Sequence, residues 1–272
     1  MARRAGLRAC PRANPRVRPY AHYPEDSLIG REPEFRIQNY CYQEGQCTMC
    51  GRYNILDDTF VRELMESLQL PLFPEPRRNI APGGHGQIVY QDHQGRHLED
   101  AVWSLLIEPK PTGEGVRPNP KWQTFNAQSR RLNQSPLWKS RYRHKRAIIP
   151  ASGFHEWVPT GGHKQVVNIR PKQGAIAFAG LYDHWEFEGV PYTSFTMITL
   201  PPHPRFAHIH PKSIPLMLKP QDFDLWLDPD FQQLDAFADL MQPHIAVDLE
   251  VVAVDSPKTL VPIAEPESIP AD

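Results

Sequence analysis

The sequence predicts an α+β domain that is rich in β-strands and largely antiparallel. The chain has 272 residues with 30 prolines and 16 glycines, and proline interrupts both helices and strand ladders, which favours short strands joined by stiff loops. Short apolar and β-branched runs recur between residues 87 and 254. These runs do not alternate regularly with helical segments, as they would in a doubly wound parallel sheet.

The predicted elements begin with a helix that Asp57 or Asp58 can cap and that Pro71 would stop. Its apolar residues recur at helical spacing: Phe60, Leu64, Met65 and Leu68. Strand-like runs follow at residues 87–90, 101–106, 146–150, 154–157, 165–169, 175–182, 194–199, 214–218 and 249–254. Two further helices are predicted before the last strand, at residues 220–227 and 231–241.

The domain proper is predicted to span residues 49–255. Residues 1–48 contain eight Arg and five acidic residues but no sustained apolar period, so they bury too little surface to offset the entropy of ordering. We therefore expect a disordered, Arg/Pro-rich extension there. Residues 256–272 contain four prolines and no period, so we expect a flexible tail.

Composition excludes several classes of protein. No run of about 18 apolar residues exists to span a bilayer. The four cysteines, Cys10, Cys41, Cys47 and Cys50, all lie in the first fifth of the chain, which argues against a secreted disulfide scaffold. The Arg-rich start is followed by prolines instead of the apolar segment of a secretory signal. We therefore expect a cytoplasmic protein with no membrane partner.

One local charge run points to nucleic acid. The formal net charge is −1, but residues 130–146 carry seven Lys or Arg and no acid, together with Trp138 and Tyr142. Cations interleaved with aromatic residues are typical of a path for single-stranded nucleic acid. A solvated basic face is the alternative explanation of the same run.

Cys50 directly follows Met49 in the stretch TMCGRYN at residues 48–54. If Met49 is the translation start, its removal exposes an α-amino group and a thiol on one residue. The amine has a pKa of about 8 and the thiol of about 8.5 in unperturbed form. The amine can condense with an aldehyde to an imine, and the thiol can then close a thiazolidine ring.

Three other motifs carry candidate catalytic groups. FNAQSRR at 125–131 offers Asn126 as a polar donor beside two arginines. SGFHEW at 152–157 places Glu156 between aromatic residues, a setting that can raise a carboxyl pKa and suits acid–base catalysis. HIHPKSIPLML at 208–218 places His210 before an apolar strand. Taken alone, Glu156 could equally be a structural carboxylate, and Trp103 and Trp157 could be core residues.

These motifs occur in an order that resembles the SRAP family, the SOS-response-associated peptidases: MCGR, N-x-A-P-G, N-A followed by arginines, G-F-x-E-W, and I-H before P-L-M-L. The family includes bacterial abasic-site processing proteins and a eukaryotic relative. The resemblance implies a barrel-like SRAP domain with flanking helices. It also implies a monomeric, cytoplasmic and nucleoid-associated sensor of abasic sites in single-stranded DNA, with autopeptidase and lyase activities and no cofactor.

The resemblance also implies roles for individual residues. Cys50 would be the nucleophile, Asn126 would orient its amine, Glu156 would assist sugar ring opening, and His210 would polarise the aldehyde or protonate the sugar hydroxyl. DNA contacts or stacking are implied for Arg52, Pro82, Trp103, Arg130, Arg131, Trp157 and Lys212. Gln128 stands where the family commonly has Arg, so Arg130 or Arg131 must replace that phosphate contact or it is lost.

Several alternatives remain open at this point. Residues 1–48 could reflect a mis-assigned start, a segment removed by self-cleavage, or an Arg-rich targeting peptide. A Cys hydrolase acting on peptides would use Cys50 with His210 as base. A metal-held nucleic-acid module would use Cys41, Cys47 and Cys50, and a metal could also bind His203, His208 and His210. We predict no metal site, because no second C-x-x-C or close His pair completes four ligands.

Overall fold

The computed structural model describes residues 51–272. The predicted extension at 1–48 and the Met49–Cys50 pair lie outside the described residues. The described chain forms sixteen strands, three short α-helices and four 3₁₀ turns. All strand pairs are antiparallel except those of β12 with β4 and β7, so the predicted antiparallel α+β class is confirmed.

The strands are β1 (Arg52–Ile55), β2 (Arg77–Ile80), β3 (His85–Asp92), β4 (Gly95–Trp103), β5 (Ile107–Pro109), β6 (Val116–Pro118), β7 (Asn126–Gln128), β8 (Arg146–Ala151), β9 (Gly153–Thr160), β10 (His163–Pro171), β11 (Ile176–Phe187), β12 (Val190–Leu200), β13 (Ile214–Pro215), β14 (Met217–Leu218), β15 (Leu249–Ala253) and β16 (Glu267–Ile269). The α-helices are α1 (Thr59–Ser67), α2 (Pro136–His144) and α3 (Phe223–Leu227). The 3₁₀ turns lie at Ser129–Arg131, Pro204–Phe206, Pro220–Asp222 and Leu234–Phe237.

Five strands close into a barrel in the order β12, β4, β3, β8, β11, because β11 also pairs with β12. Gly180 on β11 lies at this closure, opposite Ala147 of β8 and Met197 of β12. A Cβ atom at Gly180 would lie 2.6 Å from the carbonyl oxygen of Thr196 and 2.4 Å from the side chain of Ile149. The closed barrel therefore requires glycine at this position.

A second sheet of six strands packs on the barrel in the order β16, β15, β10, β9, β1, β2. The rings of Tyr53 on β1 and Trp103 on β4 meet edge to face at 5.3 Å, and those of Phe154 and Phe178 at 5.7 Å. A Cβ atom at Gly86 would lie 1.9 Å from the Tyr53 hydroxyl. Glycine on β3 thus makes room for the tyrosine that joins the two sheets.

The helix predictions were confirmed in part. Asp58 caps α1 by accepting a 2.9 Å hydrogen bond from the Val61 amide, and Phe60 is 42% exposed although the sequence placed it on the apolar face. The helix at 220–227 forms as a 3₁₀ turn followed by α3. The prediction of a helix at 231–241 was wrong, because this segment contains only a 3₁₀ turn at Leu234–Phe237. Phe237 is the one fully buried residue of the segment, and a single buried side chain does not stabilise a helix.

The expected flexible tail at 256–272 was also wrong. Its residues 267–269 form β16, which pairs with β15 through Leu249 and Ile269, and Ile269 is buried. The prolines of this segment lie outside the three paired residues. So short a strand has too few residues to show a sequence period.

Candidate active site

Glu156 lies on β9 at the point where the described chain begins. β1 pairs with β9 so that Arg52 lies opposite His155, and one further step of the antiparallel ladder places Gly51 opposite Glu156. Glu156 is 2% exposed. Side chains alternate along a strand, so Glu156 shares the face of Phe154, whose ring contacts Phe178 of the barrel. The predicted acid–base group is therefore buried beside Gly51.

Asn126 is held at the first residue of β7, next to the barrel strand β12. It lies opposite Met197 in the parallel pairing of these strands and is half-buried. The preceding carbonyl, that of Phe125, accepts hydrogen bonds from the Met197 amide at 3.0 Å and from the Trp103 indole at 2.8 Å. These two bonds fix the backbone that carries the Asn126 carboxamide.

His210 lies in a turn that ends at β13, on the other side of β12. Its amide donates to the Phe206 carbonyl at 2.9 Å, and Leu200 of β12 pairs with Ile214 after it. The Nδ1 atom of His210 lies 3.1 Å from the carbonyl oxygen of Ser213. The imidazole is 3% exposed, and this burial lowers its pKa below the ordinary value, so the ring is neutral at pH 7.

The three described catalytic candidates therefore belong to neighbouring segments. Asn126 and His210 lie on segments that flank the same part of β12. Glu156 joins them through β9, because the rings of Phe154 and Phe206 lie 6.1 Å apart and Phe206 also anchors the His210 amide. Cys50, the predicted nucleophile, lies outside the described residues, adjacent in sequence to Gly51.

A polar network holds Arg52 on the opposite face of β1 and β9. The Arg52 guanidinium donates to the Asn79 side chain at 2.8 Å and lies 5.8 Å from the centre of the Trp157 ring. Asn79 has a φ of 58°, and its amide donates to the Asn54 side chain at 2.8 Å. The Asn54 amide group in turn contacts Nε2 of His155 at 2.8 Å.

His155 is the buried end of this network, and the sequence analysis did not identify it as a site residue. It is 0% exposed, and burial lowers its pKa to about 4, with a smaller effect from the Arg52 charge. The ring is therefore neutral at pH 7 and can share a hydrogen bond with Asn54. The alternation of G-F-H-E-W, which places His155 and Glu156 on opposite faces, was the available signal.

The predicted DNA-contact residues fall into two groups. Pro82, Arg130, Arg131 and Lys212 are exposed, and Arg52 and Trp157 are half-buried. Trp103 is fully buried, with its ring stacked on Phe195 at 6.1 Å. A direct DNA contact by Trp103 was therefore wrong, since an indole without exposed surface cannot stack on a base. Its hydrogen bond to Phe125 gives it a structural role beside Asn126.

A small cavity of about 100 Å³ lies between the Asn126 strand and the His210 turn. Its polar lining includes Gln128, Arg130, Thr199, Lys212 and Ser213. Gln128 accepts a 3.1 Å hydrogen bond from Arg130 Nε. Two cations, Arg130 and Lys212, therefore border this cavity beside Gln128.

The basic run at 130–146 is only partly available for binding. Trp138 and Tyr142 face the core, and the buried Arg146 donates to main-chain carbonyls, including that of Trp226 at 2.6 Å. Two other cations contact the carboxylate of Asp183: Arg141 and Lys145. The aromatic part of the predicted nucleic-acid path was thus wrong. The exposed cations are Arg130, Arg131, Lys139 and Arg143.

Within residues 51–272, no group of three or more His, Cys, Asp or Glu side chains is arranged to hold a metal ion. Two of the histidines considered as ligands contact carboxylates instead: His203 lies near Asp272 and His208 near Glu267. The metal alternative based on Cys41, Cys47 and Cys50 falls outside the described residues. In the described part of the chain, no helix is both long and apolar enough to cross a membrane.

Comparison with known sequences decides the family. The sequence profile of the SOS response associated peptidase (SRAP) family matches residues 49–257. The chain belongs to the SRAP family. Among SRAP relatives, abasic site processing protein YoqW of Bacillus subtilis is 30% identical over 216 residues, which cover 76% of this chain and 93% of the relative. Abasic site processing protein YedK of Escherichia coli is 26% identical over 199 residues, covering 69% and 83% respectively.

Solved structures share the SRAP fold. A crystal structure of a Bordetella bronchiseptica protein superposes with a TM-score of 0.61 at 20% identity, covering 76% of this chain and all of that one. A Bacteroides thetaiotaomicron protein gives a TM-score of 0.54 at 18% identity, covering 77% and 91%. At these identities the likeness supports the fold alone, and it agrees with the predicted barrel-like domain.

Proposed function

We propose that this SRAP protein processes abasic sites in single-stranded DNA by forming a thiazolidine link through Cys50 as its mature first residue. Relatives covering most of this chain are named abasic site processing proteins. The observation that carries the proposal is the register of β1 on β9, which brings Gly51 beside the buried Glu156. Cys50 directly precedes Gly51 in the sequence, and the proposal is that its amine and thiol react beside this carboxyl group.

The chemistry balances without a cofactor. The ring-opened deoxyribose carries an aldehyde at C1, and the Cys50 amine adds to it to give a carbinolamine, which loses one water to form an imine. The thiol sulfur then adds to the imine carbon, and its proton passes to the nitrogen, which closes the thiazolidine. The overall change joins protein and DNA and releases one water.

Three side chains of the described residues would transfer protons or orient the reacting groups. Glu156 would take the proton from the C1 hydroxyl during ring opening and deliver it to the oxygen released at C4. The same carboxyl group would then pass the N–H proton of the carbinolamine to the departing water. His210, neutral because burial lowers its pKa, would hydrogen-bond to the sugar oxygen that is released at C4. Asn126, with its backbone fixed by two hydrogen bonds to the Phe125 carbonyl, would orient the Cys50 amine.

The DNA backbone would follow the cations around this site. Arg52 lies over Trp157 next to Gly51, and Arg130 and Lys212 border the small cavity beside Asn126 and His210. Because Arg130 is drawn to Gln128 by a hydrogen bond, it would supply the phosphate contact that the missing family arginine makes. Affinity for undamaged single strands should fall as salt rises.

Activity would depend on a free Cys50 amine, whether exposed by initiator removal or by self-cleavage. The decisive experiment incubates protein that begins at Cys50 with an abasic single-stranded oligonucleotide and looks for a heat-resistant adduct on a denaturing gel. Cys50→Ala should abolish this adduct. Cys50→Ser keeps the amine, so it should give an imine that is trapped only by borohydride.

An unchanged adduct with Cys50→Ala would refute the assignment, and an undamaged oligonucleotide serves as the negative control. Turnover of a peptide supplied in trans, without any DNA adduct, would favour the Cys hydrolase alternative with His210 as base. Release of residues ahead of Cys50 from the longer chain, detected by intact mass, would show self-cleavage.

A further inference from the structure

The turn that carries His210 has little regular structure of its own. It runs from His203 through a three-residue 3₁₀ turn at Pro204–Phe206. Phe206 and Ile209 are its buried apolar anchors. Such a short turn cannot hold a defined conformation by its own hydrogen bonds, so its neighbours must fix the position of the His210 imidazole.

Residues 267–272 contact this turn through Arg205 and His208. The Arg205 guanidinium donates to the carbonyl of Pro270 at 2.7 Å and to that of Ala271 at 3.2 Å, and it also contacts the Asp272 carboxylate. His208 lies 2.9 Å from the Glu267 carboxylate. The family profile matches the chain only to residue 257, so these contacts come from beyond the profile match.

Asp272 is the centre of these contacts. Its carboxylate accepts a 2.7 Å hydrogen bond from the Ile245 amide, and its own amide donates to the Ile245 carbonyl at 3.1 Å. The Arg205 amide donates to Nδ1 of His203 at 3.2 Å, so the proton of the neutral ring is on Nε2, which lies 3.4 Å from Asp272. One carboxylate thus links the turn to the buried segment at Ile245.

We propose that residues 267–272 form a clasp that positions the His210 imidazole, with Arg205 and Asp272 as positioning residues. The catalytic part of this inference rests on the proposed function of His210, whereas the structural part does not. Arg205 and Asp272 are 37% and 40% exposed, so their ion pair alone is weak. The clasp is stabilised mainly by hydrogen bonds to the main chain. Arg205 donates to two carbonyl groups, and the Asp272 carboxylate accepts from the Ile245 amide.

The structural part is tested by amide hydrogen exchange on the 272-residue chain. Arg205→Met keeps the aliphatic stem and removes the donors, so exchange at the amides of Ile209 and His210 should quicken about tenfold, the effect of losing a hydrogen bond to a charged group. Arg170→Met is the matched control. It removes an arginine that donates to Glu250 at 2.7 Å in the same sheet, away from the turn.

The catalytic part is tested with protein that begins at Cys50, under single-turnover conditions with an abasic oligonucleotide. Arg205→Met should slow adduct formation about tenfold and leave affinity for undamaged DNA unchanged. Asp272→Asn can still accept from the Ile245 amide, so it should slow the reaction less. Arg205→Lys restores one charge and should recover part of the rate.

The outcomes separate the two proposals. Faster exchange in the turn together with slower adduct formation supports the clasp. Unchanged exchange overturns it, and a slower rate with unchanged exchange would mean that Arg205 contacts DNA directly. If no variant forms an adduct, including the unsubstituted chain, the proposed function fails, and the exchange experiment alone still decides whether the clasp exists.

Discussion

The barrel and the catalytic edge of this SRAP domain are built on different physical principles. The barrel closes through continuous ladders between strands of up to twelve residues, and its side chains are buried and mostly apolar. Of the catalytic candidates in the described chain, Asn126 instead lies on a three-residue strand and His210 on a turn. Glu156 lies on the longer β9, at the point where the four-residue β1 begins to pair with it. Stability should therefore depend mainly on the barrel, and reactivity on a few polar contacts at the edge.

The largest expected effect is a loss of folding stability when a side chain of the barrel core is removed. Phe195 is fully buried on β12 and stacks on Trp103, so Phe195→Ala should lower the free energy of unfolding by about 3–5 kcal/mol. Val190→Ala on the same strand is the control, because Val190 is 47% exposed. Denaturant titration would measure both. A small loss with Phe195→Ala would contradict the division between barrel and edge.

Acid should destabilise the edge through His155. Its folded pKa of about 4 lies below the unfolded value of about 6.5, so the unfolded chain binds more protons between these values. Stability is therefore intact above pH 6.5 and falls as pH drops toward 4, by about 3 kcal/mol for this group. Unfolding free energies measured across this range should show a shallower slope in His155→Phe than in the exposed-site control His93→Gln.

A substitution at Asn79 should affect DNA binding more than folding stability. Asn79→Gly retains the left-handed backbone at φ 58° but removes the acceptor for Arg52. We expect little loss of stability and a roughly fivefold weaker affinity for single-stranded DNA, because Arg52 loses one hydrogen bond of about 1 kcal/mol. Fluorescence anisotropy at fixed salt would measure it. Asn79→Asp keeps the acceptor oxygen and should bind nearly as well.

The smallest effect concerns the cations at the cavity. Lys212→Gln should reduce the slope of log affinity against log salt by about 0.7, the value for one phosphate contact on a single strand. Lys164→Gln, at an exposed position on the β9–β10 hairpin, should leave the slope unchanged. Equal slopes for both variants would remove Lys212 from the proposed DNA path.

Local patterns predicted the parts of this molecule that local interactions determine. The longer strands and α1 followed from short apolar runs and from the Asp58 cap. Six strands of three or four residues were not predicted: β1, β2, β5, β6, β7 and β16. Barrel closure depends on pairing between β11 and β12 and on Gly180, which periodicity does not reveal, so it was expected only from the family resemblance. The DNA contact of Trp103 was implied by the family resemblance, whereas the structure buries its indole, in agreement with the alternative that it is a core residue.

Local sequence patterns also could not predict the polar contacts that position the site. Asn54 and His155 are 101 residues apart in sequence yet share a buried hydrogen bond, and Arg205 reaches Pro270 across 65 residues. Each pair depends on strand order, which a single sequence does not specify. The motifs around Glu156 and His210 identified the candidates, whereas the structure was needed to show what holds them.

The central claim is most directly tested by the intact mass of the purified protein–DNA adduct. The account predicts the mass of a chain that begins at Cys50 plus that of the abasic oligonucleotide, less one water. An adduct of the same yield in which residues ahead of Cys50 are retained would contradict it, because a blocked nitrogen cannot enter the thiazolidine ring.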